Sequence, residues 1–437
     1  MWQQFFKYID IFDSVIWQYL AFSLIIAVGA TLTRISRGYQ FRVIANAKRT
    51  FRELKGYNNV STGTNPIRLF FASIGGMIGL GNIATITAVV TIGGPGGIFW
   101  MWIAVAVGML IKYADIYLGV TYRVKNAQGS YDGGPMYYLK AAFNNNYMPK
   151  LYCILLCVYG VEISQFVMLA DTISANMALP KIAVVVALVV MILAVAVGGV
   201  KRLANICCLL MPPFVVIYIA LSCYVLGSYS QELLGLLSVI FKSAFTGYAP
   251  IYGFGGSTIL LAAHYGASKA VYSGDIGIGY DSIIHSETKA SSAKKQAKLS
   301  ILSLLTDCII CTLTCLLVLV SGYWFSVESI QPTEYIIRIF SHFFPYMQFF
   351  MTTLFFLASF TTILAFLVVG VKSAKFLNNA HGEKIYLVYA TLTFLLFAFA
   401  EQEQMVSLMS LCAGLIMLIT LPAIYKLRHK VKFREPK

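Results

Sequence analysis

The stretch Ser73-Ile-Gly-Gly-Met-Ile-Gly-Leu-Gly-Asn-Ile-Ala84 lies inside a long apolar segment and carries four glycines, Gly75, Gly76, Gly79 and Gly81. Glycine costs a helix about 1 kcal/mol per residue relative to alanine. A smooth membrane helix is not written this way; one interrupted mid-membrane is. At an interruption, N–H and C=O groups lose their helical partners, and lipid supplies no others. A cation on the freed carbonyls and a carboxylate on the freed amides would satisfy both. A close helix–helix packing face of small residues fits the same spacing. A second stretch, Tyr252-Gly-Phe-Gly-Gly-Ser-Thr258, tips the balance toward the break. Two glycine-interrupted spans, one in each half of a chain, point to a transporter with inverted repeats and a site near the midplane.

The rest of the chain fits that frame. Of 437 residues, 59% are hydrophobic and 12% charged, where a soluble chain carries about 25% charge. The composition predicts an all-α polytopic membrane protein. Eleven spans are expected, the first over Ser14–Thr33 and the others near 68–91, 97–123, 150–178, 181–199, 205–227, 251–272, 297–322, 342–370, 384–400 and 404–426. Residues 232–245 read as a short amphipathic helix at the interface. The start of the chain lacks the small-residue cleavage site of a signal peptide, because its apolar run is followed by arginines.

With the C-terminus in the cytoplasm and the N-terminus outside, the segments 34–68, 123–150, 201–202, 269–298, 372–384 and 426–437 are cytoplasmic. They hold 28 of the 33 Lys and Arg, as the positive-inside rule requires. The net charge of +15 is therefore topological, and no nucleic acid is expected as a partner; the lipid bilayer is. The nine cysteines fall in apolar segments, and Cys308-Ile-Ile-Cys311 has no partner pair, so packing is expected of them, not zinc or redox chemistry.

Ionisable residues inside the expected spans are Lys112, Asp115, Glu162, Asp171, His264 and Asp307, each costing a few kcal/mol in lipid and so a functional candidate. Lys112 and Asp115, three apart, are expected to pair with each other. Glu162 and Asp307 are candidates for a proton relay. Asp171 sits near an outer end, where hydration suffices, and His264 is expected to be packed. Ala358-Ser-Phe-Thr-Thr362 lies in mid-span. Its threonines either bond their own helix carbonyls or offer hydroxyls to a hard cation beside the first break. No catalytic motif is present, so an enzyme is not expected, and an ion gradient would supply the energy for transport.

Several stretches, in order, resemble the sodium:alanine (alanine or glycine:cation) symporter family. They are Gly79-Leu-Gly-Asn-Ile-Ala84, Gly93-Gly-Pro-Gly-Gly-Ile-Phe-Trp-Met-Trp102, Gly108-Met-Leu-Ile-Lys-Tyr113, Gly133-Gly-Pro-Met-Tyr-Tyr138, Gly198-Gly-Val-Lys-Arg202, Met211-Pro-Pro-Phe214 and Thr306-Asp307. The resemblance implies a LeuT-like fold: five helices (68–227), an inverted copy (251–426), and an extra N-terminal helix with a basic loop over 1–67. It implies symport of a small neutral amino acid, alanine or glycine, with Na⁺ by alternating access, in a monomer of the bacterial inner membrane. By the same resemblance the amides near Gly79, Leu80 and Gly81 would hold the substrate carboxylate. Phe254, Gly255, Gly256 and Ser257 would line the other side. The carbonyls of Gly75, Ile78 and Ala358 and the hydroxyls of Thr361 and Thr362 would hold one sodium, and Asn82 would serve a second.

The chain also departs from the family pattern. Leu80 stands for Thr, Thr85 for Gly, and Ser273-Gly-Asp-Ile-Gly277 for Ser-Asn-Glu-Ala-Gly. Leu169-Ala-Asp171 replaces a Gln-Ser/Ala-Asn run, with Gln165 one turn earlier as a substitute, and Phe366-Leu-Val-Val369 lacks the Trp and Tyr run expected there. These changes leave two other readings open: a proton-coupled carrier using Glu162, Asp307 or Asp275, and an amino-acid sensor that binds without transport.

Overall fold

The computed structural model describes the backbone of residues 2–54, 63–83, 85–126, 129–248, 257–290, 292–325 and 332–433. Helix α1 (Trp2–Val15) runs through a π-helical turn into α2 (Phe22–Ser36), longer at its start than the expected Ser14–Thr33. Arg37 and Gly38, both with positive φ, end it. The basic segment that follows forms α3 (Tyr39–Ala45) and α4 (Ala47–Leu54).

The decisive glycine-rich stretch is two pieces. Helix α5 (Pro66–Met77) begins on Asn65, whose side chain accepts the Ile67 N–H at 2.8 Å, with proline at the first helical position. It stops at Ile78, whose ψ of 93° turns the chain out of the helix. A single 3₁₀ turn (Leu80–Asn82) follows, then α6 (Thr87–Thr91). Helix α7 (Gly96–Thr121) is continuous and mostly buried. A hairpin of β1 (Val124–Lys125) and β2 (Tyr131–Asp132) leads to α8 (Pro135–Phe143). The span expected over 150–178 is also broken: α9 (Tyr147–Tyr159) and α10 (Ile163–Met177) meet at Glu162, which holds a left-handed φ of 50°.

Helices α11 (Lys181–Ala196), α12 (Gly199–Ser228) and α13 (Ser230–Thr246) come next, with Pro212 and Pro213 inside α12 and α13 covering the expected amphipathic helix. The second half is α14 (Ile259–Gly274), α15 (Tyr280–Ser286), α16 (Ala293–Ser321), α17 (Pro332–Phe343), α18 (Met347–Leu377), α19 (Gly382–Phe397) and α20 (Gln402–Lys426).

Among the described residues, seven helical stretches are long and apolar enough to cross a bilayer: Gln4–Ser36, Gly96–Thr121, Tyr147–Met177 through its kink, Gly199–Ser228, Ala293–Ser321, Met347–Leu377 and Gln402–Lys426. Eleven were expected. The difference has physical sources. The 68–91 segment is split, the 251–272 segment lies partly outside the described residues, and α11 and α19 have 16 residues each. At 1.5 Å per residue such helices reach about 24 Å, less than a bilayer core of about 30 Å.

A second difference concerns 269–298, expected as a cytoplasmic loop. Residues 273–288 are buried, with α15 wedged among α5, α7, α16 and α18. All nine cysteines are free, Cys308 and Cys311 included, and Cys223 is exposed.

Candidate functional site at the broken helix

Helix α5 ends against the middle of α18. The Thr362 hydroxyl donates to the Gly75 carbonyl at 3.0 Å and lies 3.2 Å from the Ala358 carbonyl. The Thr361 hydroxyl lies 2.8 Å from the same Ala358 oxygen. The last carbonyls of a helix have no partners within it, and here that of Gly75 takes a hydroxyl from a helix far along the chain. Ile78, fully buried, is where the chain turns. The structure thus gathers Gly75, Ala358, Thr361 and Thr362, with Ile78 beside them. These oxygens are uncharged carbonyls and hydroxyls, a donor set suited to a hard monovalent cation whose charge needs no carboxylate. The same hydroxyls also follow the ordinary habit of Thr in a helix, since Thr361 bonds the Leu357 carbonyl at 3.2 Å.

Past the break, the freed amides are taken by side chains of two other helices. The Leu80 N–H donates to the Ser359 hydroxyl at 3.3 Å, and the Gly81 N–H to Oε1 of Gln165 at 3.1 Å. Two glycines make this approach possible. A Cβ on Gly79 would come 2.7 Å from the Thr362 hydroxyl and 3.0 Å from Gln165 Oε1, and one on Gly81 would meet the Gln165 amide nitrogen. Leu169, one turn beyond Gln165 on α10, is fully buried and adds no polar group. Ser257 pairs with Tyr248 through two backbone hydrogen bonds of 2.8 Å, just before Thr258 caps α14. Phe254, Gly255 and Gly256 lie outside the described residues, as does the side chain of Asn82.

Sequence reasoning missed three participants. Ser359 sits inside the quoted Ala358–Thr362 run, three residues before Thr362 and so on the same helix face, which was the available signal. Tyr272 of α14 contacts both the Ser164 hydroxyl (3.2 Å) and the Glu162 carboxylate (3.4 Å), tying α14 to the kink between α9 and α10. No sequence signal marked it. The third is the turn after α14.

That turn overturns the expected Lys112–Asp115 pair. The Lys112 ammonium, fully buried, lies 2.9 Å from Asp281 Oδ2 and 3.7 Å from Asp275 Oδ2. It also meets the Gly274 carbonyl and the Met77 sulfur. A helical side chain reaches back toward its own N-terminus, away from a residue three positions on. It finds instead the ends of α5 and α14, where a cation is favoured by both helix dipoles. Asp115 takes the Tyr138 hydroxyl at 2.9 Å. Asp275, one of the family departures, accepts the amides of Tyr280 (3.2 Å) and Asp281 (3.0 Å). Ser73, on the broken helix, donates to Asp281 at 2.6 Å.

The other ionisable candidates are placed as follows. Ser273 donates to Asp307 at 2.8 Å; Asp171 pairs with Lys181 and Gln402; and His264 packs against Tyr265.

The loops carry a separate set of ion pairs. Lys372, near the end of α18, bridges Asp132 of the hairpin (2.9 Å) and Glu287 at the end of α15. Glu53 of α4 binds Lys298 at 2.9 Å. Burial works to raise the Glu53 carboxyl, but Lys298 and Arg49 outweigh it and hold it below the usual carboxylate range.

A nearly all-helical chain with, among the described residues, seven apolar stretches of membrane-crossing length and a helix broken at its centre is an integral membrane protein. The chain belongs to the sodium:alanine symporter family, whose profile matches residues 2–434. It is 30% identical over 382 residues to the uncharacterized transporter YflA of Bacillus subtilis, covering 84% of this chain and 79% of that one. It is 27% identical to the probable sodium/glutamine symporter GlnT of the same organism, covering 98% and 90%. The sodium/alanine symporter AgcS of Methanococcus maripaludis is 27% identical, over 73% of this chain and 71% of that one. Among solved structures, a manganese transporter of Eremococcus coleocola in complex with an aromatic bis-isothiourea compound superposes with a TM-score of 0.51 at 14% identity. The match covers 80% of this chain and 75% of that one. At that identity the likeness is one of fold.

Proposed function

We propose that this protein is a secondary active symporter that carries a small neutral amino acid with Na⁺ by alternating access, with alanine or glycine as the expected substrate. The observation that carries the reading is the convergence at the break. The Gly75 carbonyl at the end of α5 takes the Thr362 hydroxyl, Thr361 puts a second hydroxyl on the Ala358 oxygen that Thr362 also approaches, and the amides of Leu80 and Gly81, a few residues on, face polar side chains of α18 and α10.

In this reading Na⁺ lies among the carbonyls of Gly75, Ile78 and Ala358 and the hydroxyls of Thr361 and Thr362, with Asn82 toward a second ion. The substrate carboxylate lies on the amides of Gly79, Leu80 and Gly81, and Gln165, Leu169 and the Phe254–Ser257 segment line the remaining walls. The glutamine named for one relative and the alanine named for another both carry the α-amino acid head that such amides recognise. Leu169 makes the wall by α10 apolar, which suits a small side chain.

The architecture proposed is LeuT-like. An extra N-terminal helix and basic loop (1–67) precede a core of 68–437, with one repeat over 68–227 and its inverted copy over 251–426. The N-terminus is outside, the C-terminus is cytoplasmic, and the monomer sits in the bacterial inner membrane. Opening to the cytoplasm then requires the Lys372 bridges to Asp132 and Glu287 to part, because they join α18 to elements that pack on α5 and α7.

The test is uptake of radiolabelled amino acids into proteoliposomes with and without an inward Na⁺ gradient. Saturable, Na⁺-dependent uptake of one small neutral amino acid is expected. Uptake that ignores Na⁺, with the protein folded and inserted, overturns the reading.

A further inference from the structure

The Gly81 N–H has one hydrogen to give, and it gives it to Oε1 of Gln165. We propose that Gln165 is an internal competitor for the substrate carboxylate: its amide oxygen holds the Gly81 N–H until a carboxylate takes it, so Gln165 sets the affinity of the site. This rests on the reading above that the amides of the broken segment receive the carboxylate.

Two features carry the inference. First, the side-chain amide lies directly on the broken segment. Gln165 is only 3% exposed, and a Cβ on Gly79 or Gly81 would strike its oxygen or its nitrogen. The two glycines therefore make room for this amide as much as for a ligand. Second, the acceptor on the Gly81 N–H is the Gln165 amide oxygen, and that oxygen only accepts, so a carboxylate on Gly81 must displace it.

The energetics favour exchange without making it free. A hydrogen bond to a charged acceptor is about twice as strong as one to a neutral acceptor, so the carboxylate wins. The neutral bond it replaces is still lost, and the apparent dissociation constant rises by the fraction of sites that Gln165 holds closed. The same exchange unties the broken segment from α10 when substrate arrives, a step that a carrier moving between two faces can use.

Removing the competitor should therefore tighten binding, the opposite of removing a contact. With detergent-purified full-length protein in Na⁺, equilibrium binding of labelled L-alanine and L-glutamine is measured for the wild type, Gln165→Ala and Gln165→Glu. Gln165→Ala is expected to bind about two- to tenfold more tightly, the worth of one neutral hydrogen bond. Gln165→Glu places a charged acceptor within the same reach and is expected to weaken binding more than tenfold. Wild-type binding with equal or weaker binding in Gln165→Ala overturns the inference and leaves the symport reading standing. Absence of binding in all three proteins overturns both.

A second readout guards against a variant that binds poorly because it is misfolded. Without substrate, hydrogen exchange over residues 79–83 should be faster in Gln165→Ala than in the wild type, and added L-alanine should restore its protection. Unchanged exchange in the variant removes the Gln165–Gly81 bond from the account and overturns the inference.

Discussion

The Thr362 hydroxyl donates to the Gly75 carbonyl at 3.0 Å across 287 positions of sequence. Gly75 belongs to the last turn of α5, where backbone carbonyls outnumber helical donors. Thr362 lies in the middle of α18, in a run whose other residues are almost all apolar. The hydroxyl therefore stands where a cation bound to the same carbonyls would compete for them, and Thr361 supplies a second hydroxyl on the same Ala358 oxygen.

Thr362→Val removes the hydroxyl at nearly constant volume. It is expected to raise the Na⁺ concentration for half-maximal uptake at least tenfold, while Thr362→Ser stays within about threefold of wild type. Na⁺ titration of alanine uptake in proteoliposomes reads both. Equal Na⁺ dependence in all three proteins would remove Thr362 from the cation site.

Gly81→Leu is expected to abolish uptake, because even the first side-chain carbon meets the Gln165 amide and the Tyr272 ring edge at 3.5 Å. Overpacking of this kind costs about 1–3 kcal/mol where the surroundings can yield, and here a buried amide has to yield. Gly235→Ala on α13 is the matched control. Nothing lies within 4 Å of a Cβ there, so uptake should equal wild type. Thermal stability should rise slightly, because alanine is the better helix former.

How far this site was legible depends on the residue. The break at Ile78–Gly81 was legible because four glycines in twelve residues contradict a helix, and the Thr pair because two hydroxyls stand out in an apolar run. Gln165 was legible only through the family resemblance, as a polar residue one turn before Leu169. The kink at Glu162 was not: it carries one glycine, Gly160, and a left-handed Glu backbone leaves no mark in a sequence. Ser359 drew no reading of its own, because a lone serine in a membrane helix usually bonds its own helix. The segment 273–288 was the largest miss. Its Asp275, Asp281, Ser282 and His285 make it look like a loop in water, yet each is buried. The partner that makes this tolerable for the two aspartates, Lys112, is on a different helix and invisible to local pattern.

Lys112→Met tests that cluster. Breaking a buried ion pair from one side leaves uncompensated carboxylates and typically costs about 3–5 kcal/mol. The variant is expected to show a markedly lower midpoint of thermal unfolding in detergent. Adding Asp281→Asn to Lys112→Met should recover part of the loss, because one stranded charge is then gone. A double variant as unstable as the sum of the two single variants would show that the 2.9 Å contact carries no coupling.

Lys372 offers a test of opening toward the cytoplasm. It bridges Asp132 and Glu287, and Arg123 reinforces the same face by donating to the carbonyls of Ser286 (2.8 Å) and Thr288 (2.7 Å) while its guanidinium stacks on Tyr131. These contacts hold α15 and the hairpin against the end of α18. Lys372→Ala removes two ion pairs at once and leaves the Arg123 contacts in place, so the protein should fold but spend more time open on that face. The expected outcome is faster modification, by a membrane-impermeant thiol reagent, of a cysteine placed at Ser73 in inside-out vesicles, together with a several-fold loss of uptake. The nine native cysteines are first replaced so that only the introduced one reacts. Lys372→Arg, which keeps the charge, should behave closer to wild type. If modification is no faster in Lys372→Ala, the bridges are static struts and the closing contact lies elsewhere.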